Sequence, residues 1–368
     1  MLPKIMRDAL FDRMSVKTMR YVKPVPTRKS DGLVRRVYDM VRRDFFINGS
    51  ITGHSKVPEL LAGFWTGGRE SLLVTDRLER ATKEAMGGTL SYLNDCPYCA
   101  DMFVSLVHGA GDGQTATDIM LGNEEAIKDD ITRQRLLWVR DATLRNEEGI
   151  IDPPFDTDQL PEAIATLFMA SYVNRFSHVV MDGSPVEPLF GSQKVKDLML
   201  RTFGVELHVT THQRLTPGDA IDLLDPAPLP GDFWWARENP RIADTFARWA
   251  GAIDRQTPLA VTPEVRVRVE ESLGQWNGDR MPLSRAWVNE ETEGLLGEDR
   301  AVARLALIMG KASYQFDDTL VQDLLAFGVD EPMLIRILAW ASFLGARRLA
   351  SITAWTIGLR PGEDGLAA

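Results

Sequence analysis

Apolar residues recur at spacings of three and four along nearly all of the 368 residues, and strict strand-like alternation is scarce. This periodicity constrains the fold more than any other feature, and it predicts an all-α chain. "SDGLVRRVYDMVRRDFF" sets Leu33, Val37, Met40 and Val41 on one stripe behind Ser30 or Asp31 as a helix cap. A second helix starts near Pro58, where proline fits the first turn. Residues 75–92 form a third, with Leu78, Ala81, Ala85 and Met86 expected inward. Asn94-Asp95 then breaks the pattern, and Pro97 opens the next helix. Residues 131–146 and 158–181 give two more, separated by a loop that Pro153-Pro154 keeps non-helical. "VELHVT", 205–210, is the single short strand candidate.

Lys plus Arg number 42 against 52 for Asp plus Glu, a formal charge of -10 that argues against a general nucleic-acid binder. The stretch to Ile47 runs the other way, with twelve basic residues against five acidic. It reads as a basic helical arm, whose plainest role is to wrap a neighbouring subunit. No run of about 18 apolar residues indicates a membrane span. The start lacks the apolar core of a signal peptide, and two cysteines cannot build a secreted disulfide framework, so a cytoplasmic location is expected.

The second half of the chain echoes the first. "PELLAGFWTGGRESLL" from Pro58 compares with "PRIADTFARWAGAIDR" from Pro240, and "LFMASYVNRF" (167–176) with "ILAWASFLGAR" (337–347). "CPYCADMFV" then falls opposite "MPLSRAWV", so Ser284 stands where Cys99 would be. We read this as a duplicated helical unit whose second copy lacks the cysteines.

Both cysteines lie in "NDCPYCADMF". At i and i+3 near a helix start, Cys96 and Cys99 share a face within disulfide reach. Unpaired amides at that end favour a thiolate, so Cys96 is expected to be acidic, to attack an oxidised substrate, and to be resolved by Cys99. Half of a zinc site is disfavoured, because no third cysteine exists and His108 is nine residues beyond Cys99. An inert buried pair stays open beside the redox reading.

With its upstream segment, "KEAMGGTLSYLNDCPYC" resembles the alkylhydroperoxidase D (AhpD) and carboxymuconolactone decarboxylase superfamily. Glu84 stands twelve residues before Cys96, where redox members of that family carry a glutamate. "YVNRF", 172–176, resembles a downstream family motif. Similarity is clearest over residues 55–181 and weaker over 237–357. Together with this resemblance, composition and the internal repeat divide the chain into a basic helical extension over 1–54, an AhpD-like domain over 55–184, a Pro-rich crossover over 185–235, a degenerate second unit over 236–360 and an expected disordered tail over 361–368. The resemblance also implies a proton relay from the glutamate through a histidine four residues after the second cysteine. Here that position is Phe103, which cannot carry a proton. His108 is the substitute if the helix bends. Tyr98, Phe103, Tyr172, Arg175 and His178 are the candidate pocket residues, Arg175 as an anchor for Glu84 or for an acidic substrate group.

The expected activity is thiol–disulfide exchange or hydroperoxide reduction. The substrate would be a peroxide or a protein disulfide, a lipoyl or thioredoxin-like partner would supply electrons, and no cofactor or metal is needed. A homodimer or homotrimer is expected from the family. Acid–base chemistry of the decarboxylase type, or a non-catalytic binding role, are the alternatives. Of the remaining histidines, His54 sits in a glycine-containing loop, while His208 and His212 would face each other only in a helix.

Overall fold

The computed structural model describes residues 2–144, 152–184 and 192–361. The expected disordered tail lies outside them apart from Pro361, as do parts of both proline-containing loops. The described residues contain no strand, only an isolated bridge between Met19 and Met181. Helices α1 (Lys4–Lys17), α2 (Gly32–Asp44) and α3 (Gly49–Thr52) precede α4 (Pro58–Gly68). The N-terminal half continues through α5 (Arg80–Leu93), α6 (Pro97–Gly109), α7 (Gly113–Leu121), α8 (Asp130–Leu144) and α9 (Leu160–Val180). Then come α10 (Gln193–Thr211), α11 (Pro240–Gln256), α12 (Pro263–Gln275), α13 (Ala286–Glu291), α14 (Gly297–Lys311), α15 (Asp318–Ala326) and α16 (Glu331–Thr356).

Proline sits in the first turn of α4, α6, α9, α11, α12 and α16, where its missing N–H costs nothing. Side-chain caps from Asn48, Asp112, Asn239 and Asp330 satisfy further first-turn amides.

Several local expectations are corrected. "VELHVT" is helical, inside α10, because its residues pack against α6 instead of pairing with a strand. The buried stripe of α2 is Val34, Val37, Tyr38 and Val41, with Leu33 and Met40 at its edge. On α5, Ala81 is exposed, while Arg80, Lys83 and Glu84 turn inward.

Helix α6 packs between α5 and α10, and α9 runs through the middle against α5 and α16. The halves meet along α9–α16 and α4–α11, the same pairs the sequence comparison aligns. At the second contact, a Cβ added to Gly63 or Gly67 would lie 2.4 Å from the Trp249 indole, so only glycine admits the ring. The segment that the sequence comparison sets opposite "CPYCADMFV" runs into six-residue α13, with exposed Ser284 ahead of it.

A buried ionic chain crosses the same boundary. Lys83 Nζ lies 2.5 Å from Glu162, which also meets Arg241 of α11 at 2.5 Å. The basic arm packs on its own chain: Arg42 pairs with Asp12 at 2.6 Å, Arg20 with Asp318, and Lys23 N–H donates to Glu331.

Candidate functional site

The turn between α5 and α6 builds the site. Asn94 ends α5, and Asp95 takes a left-handed conformation (φ 54°) that aspartate tolerates better than most residues. Cys96 follows as the residue that opens α6, its N–H donating to Ser91 O at 3.0 Å, and Pro97 takes the first turn. Neighbours pin this reversal. His178 of α9 donates from Nε2 to Asp95 O at 2.8 Å, and Arg280 of the C-terminal half reaches the Asp95 carboxylate at 3.1 Å.

Both thiols are free and buried, Cys96 at 2% exposure and Cys99 at 3%. Their surroundings differ. Cys99 Sγ–H points to Val173 O of α9 at 3.8 Å and lines an apolar cavity of about 80 Å³ shared with Glu84, Phe103, Tyr98 and Met169. Cys96 lies beneath the surface between exposed Asp95 and Pro97 and does not line that cavity. The expectation of an acidic Cys96 is reversed. Burial, and then its hydrogen bond and proximity to Cys99, push the Cys96 thiol well up, because lost hydration outweighs the helix-terminal amides.

Glu84 is 1% exposed, with Oε1 2.7 Å from Arg80 Nε. Arg80 in turn donates from Nη1 to Thr210 O at 2.7 Å. Glu84 Oε2 has no hydrogen-bond partner among the described residues, and burial raises the carboxyl above its ordinary range despite the opposing Arg80. A Cβ on Gly87 would lie 2.6 Å from the Phe103 ring, which therefore beds directly on α5 beside the glutamate. Phe103 keeps this wall dry.

A second, larger apolar cavity of about 250 Å³ adjoins the first, sharing Asn48, Tyr98 and Met102 with it and lying beneath Phe11, Met14 and Phe203 of α1 and α10. Together they form a greasy approach to Cys99.

The polar residues behind the dithiol are ones the motif did not reveal. His54, fully buried, follows α3 and stacks between Phe64 and Phe176 at 4.4 and 3.8 Å. Ser50 O lies 2.9 Å from Nδ1 and can only accept, so Nδ1 carries the proton and Nε2 accepts from the Tyr172 hydroxyl at 2.9 Å. Burial holds His54 down to about 3, so it stays neutral. Ser50 also meets Ser177 at 3.1 Å, Gly49 N–H donates to the Tyr98 hydroxyl at 3.3 Å, and Ser91 donates to Asn174 at 2.9 Å. These contacts join residues up to 127 positions apart, and no local sequence pattern announces them.

The structure brings Cys96, Cys99, Glu84, Tyr98, Phe103 and His178 to the α5–α6–α9 junction, and it places two others elsewhere. α6 does not bend before His108, which lies about 13 Å along the helix from Cys99 and faces Asp197 of α10 at 3.5 Å. Arg175 does not reach Glu84. It bonds Ser171 and Gly310 O instead, and burial lowers it to about 10, still charged at neutral pH. His178 is held below its ordinary value by burial, leaving Nδ1 unprotonated and without a partner among the described residues. His208 lies in the last turn of α10 and His212 caps its end, ring centroids 4.2 Å apart. Among the described residues no three His, Cys, Asp or Glu side chains converge to hold a metal, and no helix is long and apolar enough to cross a membrane.

An all-helical chain with a glutamate facing a Cys-x-x-Cys at a helix start defines a class of protein, and comparison supports the assignment. The chain is 29% identical over 337 residues to the Mycobacterium tuberculosis protein called Alkyl hydroperoxide reductase Rv2159c, across 91% of this chain and 95% of that one. No family model matches the chain, and no solved structure matches it significantly. The end-to-end similarity supports a relation to the alkylhydroperoxidase (AhpD-like) proteins.

Proposed function

We propose that the chain is a dithiol hydroperoxide reductase in which Cys99 attacks and Cys96 resolves. The observation that carries this is the shared apolar cavity of Cys99 and the unpartnered oxygen of Glu84. Cys96, kept protonated, donates to the Cys99 sulfur and steadies the charge that sulfur carries as it attacks. Glu84 takes the Cys99 proton, and the thiolate attacks the terminal oxygen of an organic hydroperoxide, whose O–O bond breaks as the S–O bond forms. The alcohol leaves with a proton supplied through Glu84, whose raised pKa suits proton exchange better than an ordinary carboxylate. Cys96 then attacks the sulfenic sulfur, water leaves, and a disulfide remains. The two electrons taken by the peroxide come from the thiol pair. A lipoyl or thioredoxin-like dithiol restores them by attacking Cys96, which lies between exposed Asp95 and Pro97.

A second reading rests on Phe103 and the raised Cys96 thiol: Glu84 acting alone as an acid–base group in a dry cavity, as a decarboxylase-type enzyme would use it. Trapping separates the two. Cys96→Ser treated with less than one equivalent of cumene hydroperoxide should form a dimedone adduct at Cys99, and Cys99→Ser should form none at Cys96. Absence of adduct in both variants favours the acid–base reading.

A further inference from the structure

Arg175 carries a buried positive charge that the dithiol chemistry does not use. It is 5% exposed and has no carboxylate partner among the described residues. Nε donates to Gly310 O at 3.3 Å and Nη1 to Ser171 O at 3.0 Å and to the Ser171 hydroxyl, while Nη2 has no acceptor among the described residues. The fold makes room for this group. A Cβ on Gly345 would lie 2.7 Å from Arg175 Nε and 2.5 Å from Gly310 O, so α14 and α16 cross closely around the guanidinium only because that position is glycine.

Arg175 opens into a cleft of about 80 Å³ between the two halves, walled by Leu90, Leu93, Trp276 and Leu349. Asn94 lines the same cleft, and its Nδ2 is buried without an acceptor. The other cations there are already paired, Lys311 with Glu291 at 2.8 Å and Arg280 with Asp95 at 3.1 Å. Tyr314 is bound to the Met281 backbone, and the Asp279 carboxylate sits exposed on the rim. Two donors with no acceptor among the described residues, one of them charged, thus lie at a cleft whose lining mixes apolar and polar side chains. Burying such groups is costly unless something accepts from them.

We propose that this cleft binds the carboxylate of a small organic acid, received by Arg175 Nη2 and Asn94 Nδ2, with its short apolar tail along Leu90, Leu93 and Leu349. Only one arm of the guanidinium is free, so it takes a single oxygen and leaves the second to Asn94. The cleft touches Asn94, two residues before Cys96, yet the inference is independent of the dithiol reading.

The test is calorimetric titration of the full chain with benzoate, hexanoate, benzamide and inorganic phosphate. A carboxylate should saturate one site, with benzamide at least about tenfold weaker, the loss expected for one charge-assisted hydrogen bond. Arg175→Met should lose at least about tenfold. Asn94→Ala, at a partly exposed turn, should keep the fold and weaken binding severalfold. Equal binding of benzamide, preference for phosphate, or no carboxylate binding to the unmodified protein would each overturn the proposal. The wild-type comparison decides even if Arg175→Met fails to fold.

Discussion

Cys96 and Cys99 are three residues apart and physically unlike. Cys99 looks into a dry cavity beside a carboxylate, while Cys96 lies under the surface at the helix start and is held protonated. Spacing shows the pair but not this division, because it depends on which elements pack over each sulfur. His54 behaves similarly. In sequence it is a loop residue, whereas in the fold it is a neutral ring bonded to Tyr172 across 118 positions. Its pKa is near 3 against an ordinary 6.5, so acidification below 6.5 protonates the unfolded chain but not the folded one. Stability should therefore fall by about 1.4 kcal/mol per pH unit from this group alone as pH drops from 6.5 toward 3. Urea midpoints of the wild type and His54→Asn, taken from about pH 7 to about pH 4.5, should show the variant less stable at neutral pH and the gap narrowing with acid. A constant gap would mean that His54 already takes up a proton in the folded state.

At the scale of elements, α5 and α6 form the working pair. Gly87 admits the Phe103 ring, which stands where the sequence resemblance would put a relay histidine. Phe103→His should restore a proton path and raise the rate with hydroperoxide by about tenfold or more. Loss of packing should cost roughly 1–3 kcal/mol. Stopped-flow peroxide consumption and thermal melts measure the two effects, and an unchanged rate would show that proton transfer through this position does not limit the reaction. Helix positions, the break at Asn94-Asp95 and the proline starts are legible because they are written in local chemistry. The stretch 205–210 looks like a strand because it is rich in β-branched residues, yet it lies within a helix that buries only Leu207 and Thr210 of it.

Across the whole molecule, the halves are joined by α9–α16, α4–α11 and the Lys83–Glu162–Arg241 chain. Sequence comparison suggests a duplication, and we propose that these aligned pairs form its internal interface. No pattern foretells charges at its centre, since a buried ion pair is legible only when both partners are placed. Glu162→Gln strands a fully buried lysine and should cost about 3–5 kcal/mol in urea unfolding. Far-UV dichroism and tryptophan fluorescence should still report coincident transitions. A cost below about 1 kcal/mol would show the chain to be dispensable to the join.

The central claim, a dithiol that reduces hydroperoxide, is tested most directly by adding one equivalent of cumene hydroperoxide to the fully reduced protein. Peroxide consumption and the mass of the peptide holding Cys96 and Cys99 are then followed together. The account predicts one peroxide consumed for each peptide that loses two hydrogen atoms, with the loss reversed by a dithiol reductant. Persistent peroxide, with both cysteines still open to alkylation after denaturation, would contradict it.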